Sequence, residues 1–135
     1  MPMELQYLPN GGVLLKGVGM VTFRDIKEIN EEIYGTKDKI LKLSYQICDF
    51  ISVTGIPLSS EEVKSLAEQD KYAGEINPHM IIATVGEVDV VYGLARMWQA
   101  YTDGSPIKTK VFRKMSDAQR WIATNMTSRK SGKTE

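Results

Sequence analysis

Tyr45-Gln46-Ile47-Cys48-Asp49-Phe50, followed after a short connection by Leu58-Ser59-Ser60-Glu61-Glu62-Val63, decides how this chain is read. From Ile40 to Cys48 the residue types alternate. Leu41, Leu43, Tyr45 and Ile47 fall on one side, and Lys42, Ser44 and Gln46 on the other. A period of two predicts a strand with one dry and one wetter face. Asp49 closes that strand, and Ile51-Ser52-Val53-Thr54-Gly55 reads as a loop. Ser59 with Glu62 has the spacing of a capping box, in which each side chain takes one of the free N–H groups at a helix start. A strand, an acidic residue, a loop and a serine-led helix make a rim where a phosphate, another anion or a partner protein can be sensed.

Outward from this stretch, both flanks alternate strand and helix. The helix opened by Ser60 buries Val63, Leu66, Ala67 and Ala73, and Asn77-Pro78 breaks the chain after it. His79 to Val85 is apolar on both faces apart from Thr84, as an interior strand covered on two sides requires. Asp89 to Tyr101 forms a helix whose inward stripe is Val91, Leu94, Ala95 and Trp98. Asp103-Gly104-Ser105-Pro106 is a turn, and Lys108 to Arg113 is an edge strand with charges at both ends. Ser116 and Gln119 have the spacing of a cap for a last helix carrying Ala118, Trp121 and Ile122. Toward the N-terminus, Pro9-Asn10-Gly11-Gly12 supplies the positive φ angles of a tight hairpin between Leu5–Leu8 and Val13–Val18. Thr22 and Asp25 cap a helix whose stripe is Phe23, Ile26, Ile29 and Ile33, ended by Gly35. The order ββαβαβαβα predicts an α/β fold with a mixed, mostly parallel sheet and packed helices. Residues 1–125 are expected to form a single domain and 126–135 a disordered polar tail.

Composition narrows the function classes. The 135 residues suit one core, with 42% apolar and 25% charged residues. Lys plus Arg and Asp plus Glu both number 17, so no global field draws in nucleic acid. Cys48 stands alone and cannot form an internal disulfide, which fits a reducing, cytoplasmic setting. The N-terminus lacks the basic and apolar regions of a signal peptide, and no apolar run approaches the ~20 residues of a membrane span.

Candidate chemistry is sparse. His79 is the one histidine, and no Ser-His-Asp, Cys-His or paired-carboxylate spacing is recognisable, so no catalytic residue, metal site or cofactor is expected. Gly86-Glu87-Val88-Asp89 lacks the glycine spacing and lysine of a phosphate loop. Asp49, Thr54, Ser59 and Ser60 form a candidate regulatory rim, although Asp49 can equally bond its own loop backbone and Ser59 can serve only as a cap. Tyr92, Met97 and Tyr101, together with Trp98 of the inward stripe, give their helix a broader apolar surface than one core face needs. They are either deeply buried or a candidate interface, such as a homodimer face, or a ligand surface.

The element order, the two stretches quoted at the outset, Val91-Tyr92-Gly93-Leu94-Ala95-Arg96-Met97 and Val111-Phe112-Arg113 with Ala118-Gln119-Arg120-Trp121-Ile122 together resemble the SpoIIAA-like (STAS/SEC14-like) bacterial domains. The resemblance spans about Met3 to Ala123. It implies a STAS-like fold and a regulatory, protein-interaction role of unassigned pathway, without enzymatic activity. In relatives that are anti-sigma-factor antagonists, a serine at this helix start is phosphorylated within Asp-Ser-Ser-Gly. Here Leu58-Ser59-Ser60-Glu61 keeps the serines without the flanking aspartate and glycine. An alternative implied by the SEC14 part of the name is the binding of a small apolar ligand or lipid near Met97 and Trp98.

Overall fold

The computed structural model describes residues 2–134, with side chains through Met126. Strand β1 (Met3–Leu8) turns back through a 3-10 turn at Pro9–Gly11 into β2 (Gly12–Met20). Asn10 and Gly11 adopt φ of 63° and 79°, the left-handed conformation that an Asn-Gly pair tolerates best. Helices α1 (Phe23–Ile33) and α2 (Lys37–Leu41) lead into β3 (Tyr45–Gly55). Then follow α3 (Ser60–Ile76), β4 (Ile81–Val85), α4 (Asp89–Thr102), β5 (Lys108–Phe112) and α5 (Met115–Thr134).

The strands lie in the order β1-β2-β3-β4-β5. The β1–β2 pair is antiparallel and every other pair is parallel. From β2 onward each crossover steps to the next strand in the same direction. Right-handed crossovers therefore deliver their helices to one face of the sheet. Accordingly, Ile26, Ile29 and Ile33 of α1, Leu66 and Ala73 of α3 and Val91 of α4 pack with Val13, Leu15 and Ile82. The opposite face would be bare without the last helix. Ala118 and Ile122 of α5 cover Ile47, Ile81, Ala83 and Val85 there. All five residues of β4 are buried, so the run from Ile81 to Val85 is the doubly covered interior strand that its composition requires.

Three expectations are corrected. The strand read from Ile40 begins at Tyr45, because Lys37–Leu41 form α2, capped by Thr36, whose hydroxyl accepts from the Lys39 N–H at 3.1 Å. Ile40 is fully buried while Leu41 is 60% exposed, a contrast that one helical turn produces as readily as a strand does. The wetter face assigned to Gln46 is also dry, since Gln46 is 1% exposed beneath the α1–α3 layer. Finally, α5 opens at Met115, and Ala118 N–H bonds the Lys114 carbonyl, so Ser116 lies within the first turn rather than capping it. Of the polar tail expected from 126 onward, only the Met126 side chain is described, and the backbone of α5 continues as far as Thr134.

Candidate functional site

The candidate rim residues Asp49, Thr54, Ser59 and Ser60 lie on an irregular strand end and a capped helix. Lys16 pairs with Asp49 and Val18 with Ser52, so between these pairs β3 carries one residue more than β2. A second shift, Gly19 with Val53 and then Met20 with Gly55, leaves Thr54 as another extra residue. Such bulges free backbone donors and bend the strand. At the first of them, Asp49 Oδ1 accepts from the Ile51 N–H at 3.0 Å. Residues 51–55 thus extend β3 and are not a loop, and Asp49 sits in mid-strand.

Ser59 is the N-cap of α3. Its hydroxyl accepts from the Glu62 N–H at 3.1 Å, and Glu62 Oε1 accepts from the Ser59 N–H at 2.9 Å. Thr54 and Ser60 are exposed. No side-chain hydrogen bond joins Asp49, Thr54, Ser59 and Ser60 to one another among the described residues. Because the Ser59 hydroxyl satisfies the otherwise free Glu62 N–H, Ser59→Ala is expected to cost about 1 kcal/mol of unfolding free energy, measured by urea denaturation. A change within error would show that the cap adds nothing to α3.

The second set of residues does not share one surface. Trp98 points inward from α4. Tyr92 packs under Arg113, whose guanidinium carbon lies 4.1 Å from the ring centroid. Arg113 also pairs with Asp89 at 2.9 Å and donates to the Glu87 carbonyl at 3.0 Å. Met97 is 36% exposed and Tyr101 half-buried. His79 is exposed in the turn before β4, and no group of three or more metal-ligating side chains gathers among the described residues.

Between the sheet and helices α1, α3 and α4 lies a cavity of about 60 Å³. Its wall is mostly apolar, with Leu15, Ile26, Phe50, Leu66, Val91 and Trp98 among its residues. Asp70, Cys48, Thr84 and Asn30 supply the polar groups. Asp70 is 6% exposed on the inward face of α3. Tyr34 O–H donates to Asp70 Oδ1 at 2.7 Å, and Trp98 Nε1–H donates to Oδ2 at 2.8 Å. Gln46 Nε2–H donates in turn to the Tyr34 oxygen. One chain of hydrogen bonds therefore ties β3, α1, α3 and α4 around a single carboxylate.

Burial pushes the Asp70 carboxyl up to about 6, against the opposing pull of the two donors from Tyr34 and Trp98. Burial also raises the Tyr34 phenol well above its ordinary value, with the adjacent Asp70 adding to the effect, so the phenol remains the donor. The Cys48 thiol is raised by burial and by Asp70, which keeps it protonated and a poor nucleophile. Sequence reading missed this cluster, although Asp70 follows Val63 by seven residues and Leu66 by four. That places a carboxylate on the apolar stripe of α3.

One antiparallel hairpin, three parallel crossovers stacked on one face and a closing helix on the other define a STAS-type α/β fold. The solved structure of the anti-sigma factor antagonist SpoIIAA in its unphosphorylated form matches it with a TM-score of 0.61 at 11% identity, over 90% of this chain and 96% of that one. The fold of this protein is the SpoIIAA fold. No family model matches the sequence, and no curated protein matches it. No helix among the described residues is long and apolar enough to cross a membrane.

Proposed function

We propose that this protein is a non-catalytic, cytoplasmic regulatory module that binds a protein partner at the rim of Asp49, Thr54, Ser59 and Ser60. The observation that carries this reading is the exposed Ser60 at the first position of α3, in the helix that follows the bulged strand β3, in a fold shared with an anti-sigma factor antagonist. The Ser59 hydroxyl is engaged in the cap, so Ser60 is the serine presented for modification. A phosphoryl group there would meet the positive end of α3 together with the negative charge of Glu61. The role of the reactive groups agrees with this: the one cysteine has a suppressed thiol and the one histidine sits in a surface turn.

The test is recovery of a partner on the tagged protein. Thr54→Arg places a bulky cation in the rim without touching the core, and it is expected to reduce recovery at least about tenfold. Equal recovery by wild type and variant would remove the rim from the interface. A second reading, the binding of a small molecule, is favoured by one observation, the cavity under α1, α3 and α4.

A further inference from the structure

We infer that the cavity bordered by Asp70 and Trp98 is a binding site for a small primary amine, taken up as its ammonium ion with a short apolar chain. This rests on the ligand-binding reading of the cavity and assigns it a chemical class. Two independent features lead to it. The first is shape: a space of about 60 Å³ with an apolar wall that the packed helices do not fill. An apolar cavity of roughly 150 Å³ holds benzene, so this one encloses about two or three heavy atoms of a ligand. The second is charge. Asp70 is a carboxylate at the cavity wall, yet no lysine, arginine or histidine lines the cavity, and no salt bridge reaches Asp70 among the described residues.

Tyr34 and Trp98 give each carboxylate oxygen one neutral donor. Every ionised carboxylate oxygen can accept more than one, so the group still has room for an ammonium proton. The titratable groups facing Asp70 are the Tyr34 phenol and the Cys48 thiol, and both are neutral when Asp70 ionises. An arriving ammonium would therefore meet an uncompensated negative charge. The fold has already desolvated that charge, so the ligand bears only its own desolvation. The indole of Trp98 at the same wall adds an aromatic surface suited to a cation. A carboxylate ligand would be repelled, and a plain hydrocarbon would leave the charge unanswered.

Ethylamine and its neutral isostere ethanol, with three heavy atoms each, separate these cases. Binding is followed through the Trp98 indole N–H resonance. At pH 8 the amine is expected to bind with a dissociation constant of about 1–10 mM, roughly tenfold or more tighter than the alcohol. At pH 4.5, where Asp70 is protonated, the preference should vanish in the wild-type protein, and Asp70→Asn should abolish it at both pH values. The pH comparison keeps the test decisive even where that variant folds poorly. Equal binding of amine and alcohol at pH 8 would overturn the amine assignment and leave a ligand cavity. No perturbation by either compound would overturn the cavity reading as well.

Discussion

Relative to its Asp70→Asn variant, the wild-type protein is expected to lose about 2–3 kcal/mol of unfolding free energy as the pH rises from 4 to 8. The sign follows from linkage. Asp70 titrates near 6 in the folded protein and near 3.8 when unfolded. The folded state therefore holds its proton more tightly. The resulting stabilisation is complete below about pH 4 and is lost as the pH passes through about 6. Above that, folding must keep an ionised carboxylate out of water with only Tyr34 and Trp98 to answer it. Asparagine cannot ionise, so the difference between the two proteins isolates this group from the other carboxylates. Urea denaturation of both at a series of pH values measures it. Parallel pH profiles would mean that Asp70 is solvated in solution.

Ile82→Ala is expected to destabilise the protein by about 2–5 kcal/mol at pH 7. Ile82 is fully buried on β4, where it packs with Met80 and the helices of the α1–α3–α4 layer. Because β3 and β5 flank β4 and helices cover both faces, the backbone cannot collapse into the space left behind. Domains of this kind are held by about 5–15 kcal/mol, so the variant would keep only part of its margin. A loss under about 1 kcal/mol in urea denaturation would contradict the packing of β4 between two helical layers.

The parts of the fold that were legible in the sequence depend on neighbours a few residues apart. The boxes of Thr22 with Asp25 and of Ser59 with Glu62 span three residues each, and both form as their spacing requires. Asn10-Gly11 carries its turn in its own backbone preference. The alternating order of elements was enough for the sheet, since handedness and short connections leave few ways to stack such helices. Helix α2 escaped notice because five residues are too few to show a period. The bulges of β3 were equally silent, being visible only against the register of β2.

The candidate site divides in the same way. The cap at Ser59 is local and was legible. The buried cluster is not local: Tyr34 lies 36 residues from Asp70, and Trp98 lies 28. Gln46 alternates like any polar strand residue, and only the helix layer above it shows that its amide is buried against Tyr34. Trp98 was read on the inward stripe of its helix and also, with Tyr92, Met97 and Tyr101, as part of a wider apolar surface. The structure turns its indole toward Asp70 and leaves Met97 outside.

Hydrogen–deuterium exchange on the protein with and without its recovered partner tests the central claim most directly, since it reads which backbone amides an interface protects. Protection concentrated in residues 49–62 is the predicted result. Protection confined to the opposite end of the sheet or to α5, with 49–62 unchanged, would contradict it.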